Sequence, residues 1–386
     1  MAVAAGASAA NVWYNQPMLG EIAVSFGVSE QAVAAIPTAT QLGFAAGILL
    51  LLPLGDRVNR RAVILWQLGA TVLALIGAAL APNVTTLIVA SVLVGAGGST
   101  AQQIVPFAAE LAEPAARGRV VGTVMSGLLS GILLARVLSG AVAEQFGWRA
   151  MCWLGAAIAV AMAVMLRAML PRSRPSVLAR YPELLASLAS IARDYPALRR
   201  ATLLQALIFA TISAFWSVLA LLLQGPAFGL GPTTAGLFGV VGVAGILASP
   251  LAGRVADRRG PQGVITLAIS LVAASFVLFM AWPTIVGLIL GVILVDLGAQ
   301  ASMISNQSII YGLAAEARGR INTVFMTGMF LGGAVGSAGA GVAWALGGGG
   351  IAGWRAVCAF CLVLALAAGA LQIRHVKAVR AVSPGS

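Results

Sequence analysis

Apolar runs of about twenty residues recur along this chain, separated by short polar connections. That is the length a helix needs to cross about 30 Å of hydrocarbon at 1.5 Å per residue. Twelve runs can be marked, at 2–20, 31–54, 62–81, 84–108, 120–143, 150–170, 201–224, 233–252, 264–281, 284–313, 321–346 and 356–373. No window alternates apolar and polar residues as a half-buried strand would. The pattern predicts an all-α integral membrane protein with twelve transmembrane helices. The first run is the weakest: "NVWYNQPML" breaks its apolar character after only ten residues, and no basic residue precedes it. It lacks the n-region of a signal peptide and reads as a short first helix, or as a start placed inside that helix.

The longest connection, "PRSRPSVLARYPELLASLASIARDYPALRR" at 171–200, carries an amphipathic stretch bounded by prolines. It reads as a linker with a short surface helix, and it divides the chain in two. At an offset of 201, Arg117, Gly118, Arg119, Met125, Gly127, Gly131 and Gly140 face identical residues at 318, 319, 320, 326, 328, 332 and 341. "GWRAMC" at 147 returns as "GWRAVC" at 353, the offset lengthened by the glycines at 347–350. Duplication explains these matches economically. The expected organisation is an N-terminal six-helix bundle (1–170), the linker (171–200), a pseudo-symmetric C-terminal six-helix bundle (201–373) and a cytoplasmic tail (374–386).

Composition agrees with the pattern: 60% of the 386 residues are apolar, 9% are charged, and mean hydropathy is +0.99. A net charge of +12 would suggest nucleic acid in a soluble protein. Here the basic residues lie in clusters between apolar runs, as positive-inside topology requires, so no nucleic-acid partner is expected. With both termini inside, nineteen Arg and Lys fall on the cytoplasmic side, and only Arg149 and Arg355 fall outside. Arg167 sits near an inner helix end and Arg136 within a span. The three Cys lie in apolar runs, and Cys358-x-x-Cys361 has no second pair, so no metal is assigned. His375, the one His, lies outside the spans, which excludes a buried His relay.

Charges within hydrocarbon are costly and default to functional hypotheses. Asp296 lies about 18 Å along helix 10, near mid-membrane; it is a candidate proton-coupling carboxylate or a structural partner for Arg136. Arg136 either couples to it or snorkels outward. Asp296, Gln300, Met303 and Gln307 share a helix face, as do Asn11, Tyr14 and Asn15 in the first helix, where Pro17 can kink the chain. Gln41 and Gln102 add neutral hydrogen-bonding groups. Gly127 and Gly131, with Gly328 and Gly332, form G-x-x-x-G pairs suited to close helix packing.

The loop "LPLGDRVNRR" at 52–61 is echoed by "LAGRVADRRG" at 251–260. With twelve spans in duplicated halves and a basic central linker, this chain resembles the major facilitator superfamily, whose loop signature is G-x-x-x-D-R-x-G-R-R. Gly253, Asp257, Arg258 and Gly260 match that signature; the first copy keeps Asp56, Arg57, Arg60 and Arg61 but has Leu52 and Asn59 in place of glycines. "NVWYNQPML", "GILLARVLSG" and "SNQSIIYGLAAEARGRINTVFM" are similar to the bacterial drug and sugar efflux branch. Ser91 and "ARVLSG" depart from the helix 4 Arg and helix 5 G-P-x-x-G of drug/proton antiporters.

The resemblance implies that helices 1, 4, 7 and 10 line a central cavity. Its walls would include Asn11, Tyr14, Asn15, Gln41, Gln102, Gln300, Met303 and Gln307. It also implies a cytoplasmic gate in which Asp56 approaches the start of helix 11 near Arg318 and Arg320, and Asp257 the start of helix 5 near Arg117 and Arg119. The alternative for the loop arginines, Arg57, Arg61 and Arg258 among them, is that they set topology and meet lipid phosphates.

An ATP-driven pump is excluded because the single Lys, Lys377, is followed by Ala378 and cannot complete a Gly-Lys-Ser/Thr phosphate loop. A membrane hydrolase would want a His or metal cluster in the spans. The expectation is a secondary transporter, not an enzyme, with no cofactor. It would act as a monomer in the cytoplasmic membrane of a bacterium, exporting a small organic solute against protons among membrane lipids. Proton-coupled import of a sugar or other metabolite is the alternative.

Overall fold

The computed structural model describes residues 1–171, 180–242 and 260–382. Every regular element among them is helical. The helices are α1 (Ala2–Ala10), α2 (Leu19–Phe26), α3 (Glu30–Val33), α4 (Ala35–Arg57), α5 (Arg60–Ala79), α6 (Val84–Gly98), α7 (Thr100–Leu111) and α8 (Arg117–Phe146). They continue with α9 (Trp148–Met169), α10 (Tyr181–Asp194), α11 (Pro196–Gln224), α12 (Pro232–Val241), α13 (Pro261–Ala281), α14 (Ile285–Tyr311), α15 (Arg318–Leu346) and α16 (Gly350–Val382).

Among the described residues, ten helical segments are long and apolar enough to cross a membrane, and the shorter α12 is apolar too. With the N-terminal segment, these are consistent with twelve passes. The rest of the expected eighth span, 243–252, lies outside the described residues, as do Gly253, Asp257 and Arg258.

The expected first helix, 2–20, is broken. After α1 the chain tightens into turns, with Val12 N–H bonded to Ala9 O at 3.2 Å and Trp13 N–H to Ala10 O at 3.0 Å. A 3-10 turn follows at Gln16–Met18, where Pro17 occupies a first-turn position that needs no N–H donor. A second break divides the expected fourth span between α6 and α7. There the Ser99 hydroxyl bonds back to Ala96 O (2.7 Å) and accepts from Gln67 Nε2 (3.2 Å). Side chains cap other helix starts: Asn59 for α5, Asn83 for α6 and Thr284 for α14.

Pro53 interrupts α4 and leaves its turn one donor short. Side chains bond carbonyls of that turn: Gln103 Nε2 donates to Leu51 O at 2.5 Å, and the Tyr181 hydroxyl to Leu50 O at 2.7 Å. The second bond ties α10, the expected linker helix, to α4. Partial burial raises the Tyr181 phenol above its ordinary pKa.

The described chain divides into two compact units, one of Met1–Ser190 with Leu219–Gly239, the other of Ile191–Val218 with Val240–Ser386. In the first, α1 packs on α8 through backbone contact: a Cβ on Gly131 would strike Gly6, and one on Gly6 would strike the Gly127 carbonyl. The second repeats this device 201 residues on, with Gly328, Gly332 and Gly336 of α15 meeting Thr202, Ala206 and Ala210 of α11. Where no hydrophobic force drives helices together, such close backbone approach is what holds them.

The second unit's core centres on Phe215, Phe276, Phe279 and Trp354, all fully buried, with Trp354 Nε1 donating to Phe279 O at 3.0 Å. In both units large apolar side chains face outward, Trp66, Leu73, Leu134, Val335 and Val363 among them. Surfaces of this kind are stable against lipid and not against water.

Candidate functional site

In the first unit the broken first helix turns polar side chains inward. Asn11, Tyr14 and Asn15 line one side of a cavity of about 40 Å³. Thr40 of α4 and Ser91 of α6 add hydroxyls, and Leu75, Leu87 and Val94 supply apolar wall. Asn11 Nδ2 donates to Ala7 O (3.2 Å), and Asn15 Nδ2 to Thr40 Oγ1 (2.8 Å). Three of the eight cavity residues expected from sequence therefore meet here. Gln41 is buried elsewhere on α4, and Gln102 is half-buried on α7.

Arg136 does not snorkel. It is 6% exposed, its Nε donates to Gln16 Oε1 at 3.0 Å, and its guanidinium carbon sits 4.8 Å from the Trp13 ring centroid. A cation over an indole gains attraction when it is desolvated, which offsets part of its burial. Gly239 of α12 lies beside the aliphatic stem.

Two carboxylates that sequence reading passed over sit at helix N-termini, where they meet backbone N–H groups. Glu21 Oε1 accepts from Trp148 N at 3.0 Å, and Glu144 Oε2 from Thr233 N at 2.8 Å.

At the end of α4 the charged loop forms a bridge centred on Arg60. This guanidinium binds Asp56 and, at 3.0 Å, Glu110 of α7, with Phe107 at 6.0 Å. Arg60 is 8% exposed while Arg57 is exposed. The other loop arginines close helix ends. Arg61 donates to Arg167 O (2.5 Å), and Arg117 Nε to Ala109 O (3.0 Å). In the second unit Arg318 Nε repeats the Arg117 contact, donating to Tyr311 O at 3.0 Å. A cation on the last carbonyls of a helix satisfies orphan acceptors and the dipole together. Arg119 and Arg320 are exposed.

In α14, Asp296, Gln300, Met303 and Gln307 are all half-buried and share a face. A different face carries Ser302 and Asn306, which bond Gln205 Oε1 of α11 at 3.0 and 3.4 Å. Sequence reading missed this buried pair of helices, because Gln205 stands alone in an apolar run. For Arg60 and Asp56 the signal existed, an acid and a base four residues apart. For Glu110 none did, since its partner lies 50 residues away.

A profile of the Major Facilitator Superfamily matches residues 1–337 and 201–384. The transporter YgaY of Escherichia coli is 37% identical over 367 residues, covering 95% of this chain and 92% of its own length. A chloramphenicol efflux pump of Mycobacterium tuberculosis is 28% identical over 228 residues, 58% of this chain and 53% of the pump. Among solved structures, the nucleoside transporter NupG aligns over 95% of this chain and 97% of its own, with TM-score 0.77 and 16% identity. The apolar spans, the duplicated sequence and these likenesses agree: the chain is an integral membrane transporter belonging to the major facilitator superfamily.

Proposed function

We propose that this transporter is a proton-coupled exporter of a small organic solute, working by alternating access as a monomer in a bacterial inner membrane with both termini cytoplasmic. The observation that carries the reading is the buried Arg136, a charge retained inside an apolar helix and held by Trp13 and Gln16. Such a charge is costly in hydrocarbon and persists where solute or protons pass. The export direction rests on the likeness to the chloramphenicol efflux pump.

In this reading Asn11, Tyr14, Asn15, Gln41, Gln102, Gln300, Met303 and Gln307 contact solute, and Asp296 with Arg136 couples protons. Asp56, Arg57, Arg61, Arg117, Arg119, Arg318 and Arg320 form the gate, joined by Gly253, Asp257 and Arg258. The test is proton flux in proteoliposomes challenged with a compound panel under both gradient directions. Solute-driven proton release is expected from the native chain and its loss from Asp296→Asn. Flux that survives the substitution removes Asp296 from coupling, and solute accumulation driven by an inward proton gradient makes the protein an importer.

A further inference from the structure

The cavity beside the broken first helix has an unusual rim. Asn11 is 95% buried (5% exposed), and its Oδ1 has no hydrogen-bond partner; Asn15 Oδ1 is likewise buried and unpartnered. Both line the cavity. The Asn11 amide cannot be turned round to cure this. Asn11 Nδ2 is committed to the Ala7 and Ser8 carbonyls and Asn15 Nδ2 to Thr40 Oγ1, so a flip would set oxygen against oxygen at Asn11. Ser91 has spent its proton on Leu87 O at 2.7 Å, and Thr40 its own on Ile36 O at 2.9 Å. The rim therefore holds two buried acceptors, Asn11 Oδ1 and Asn15 Oδ1, that neither Ser91 nor Thr40 supplies with a proton.

We propose that this cavity is a hydration site, holding water that donates to Asn11 and Asn15 and fills the break in the first helix. Buried polar atoms are nearly always satisfied, and water is the usual supplier where protein is not. About 40 Å³ accommodates on the order of one to three molecules, given roughly 10–15 Å³ needed for one and about 30 Å³ for each in the liquid. A metal ion does not suit the site. No charged side chain lines it, and a bare cation there would be desolvated without an anion. Asn11 and Asn15 also bracket the turns where the helix has lost its regular bonding, so the water stands beside a ready point of bending.

The same cavity is lined by side chains that report water. Tyr14, Met18, Trp148, Met151 and Cys152 are each at most 7% exposed, and all react with hydroxyl radicals. The test is X-ray footprinting of the full chain in nanodiscs after rapid mixing with oxygen-18 water. Held water should make Met18 and Met151 oxidise several-fold faster than Met329 or Trp354, which are as deeply buried elsewhere. At mixing times that already label exposed Met169, the oxygen added at Met151 should still come from unlabelled water. Oxidation of Met151 no faster than that of Met329 overturns the proposal, because the cavity is then dry. Immediate oxygen-18 incorporation also overturns it, because the water is then bulk solvent passing through. In the Asn11→Leu, Asn15→Leu double variant the fast oxidation of Met151 should vanish while Met169 stays unchanged. Its persistence denies the asparagines their role. Should that variant unfold, seen as oxidation of Met329, the isotope result on the native chain decides alone.

Discussion

Arg60 holds two carboxylates with one guanidinium, and its contribution is asymmetric. It is deeply buried, while the Asp56 and Glu110 side chains are 43% and 50% exposed and can fall back on solvent. Glu110→Gln should therefore cost less than about 1 kcal/mol, as for an exposed pair. Arg60→Met removes charge-assisted bonds to both acids and should cost about 1.5–3 kcal/mol. Thermal unfolding in detergent measures both, and equal losses would show that the bridge is not centred on Arg60. Arg136 yields a second contrast. Arg136→Lys keeps the charge but loses the planar stacking on Trp13 and the Nε bond to Gln16, so it should insert normally yet transport poorly. Transport equal to the native rate in proteoliposomes would reduce Arg136 to a bare charge. The importance of Arg136 was visible in the sequence, as a charge in an apolar run. Its burial was not, because Trp13 and Gln16 lie more than a hundred residues away and only the fold brings them near.

Among the helices, the G-x-x-x-G pairs were legible because close packing leaves a small-residue pattern at fixed spacing, and both copies meet the partner helix as the spacing suggests. Gly131→Val should destabilise α1 against α8 by about 1–3 kcal/mol, the usual cost of overpacking. Gly69→Ala in α5, where an added Cβ meets nothing, should stabilise by about 0.5–1 kcal/mol. Paired melting curves separate the two, and parallel shifts would deny that the α1–α8 contact is backbone-close. The helix breaks were harder to read. Pro17 signalled the first only as a kink. The Ser99 break had a local signal in Gly97 and Gly98, which the apolar pattern overrode, and Gln67 completes it by reaching across from α5. The linker helix was legible in its amphipathic stretch but not in its anchorage. Tyr181→Phe cuts its bond to Leu50 O and should speed proteolytic nicking between residues 171 and 195. An unchanged cleavage rate would mean that apolar contacts alone seat that helix.

For the whole molecule, the hydrocarbon thickness and the bias of Arg placement are global constraints, and they made span number and duplication readable from one chain. The division into compact units was not readable, because helix length says nothing of which neighbours a segment chooses. Residues 219–239 belong with the first unit, although they follow the linker. There the chain at Pro232 and Thr233 meets Gly140 and Glu144, Gly236 packs against the Arg136 backbone, and Gln224 reaches Pro17 O at 2.8 Å. The order of synthesis inherits this arrangement. When the linker leaves the ribosome, α8 still lacks α12, and Glu144 has not met its N–H. The first half of the gene thus leaves these contacts open, and they close only when residues 219–239 are translated, some fifty residues after the linker begins.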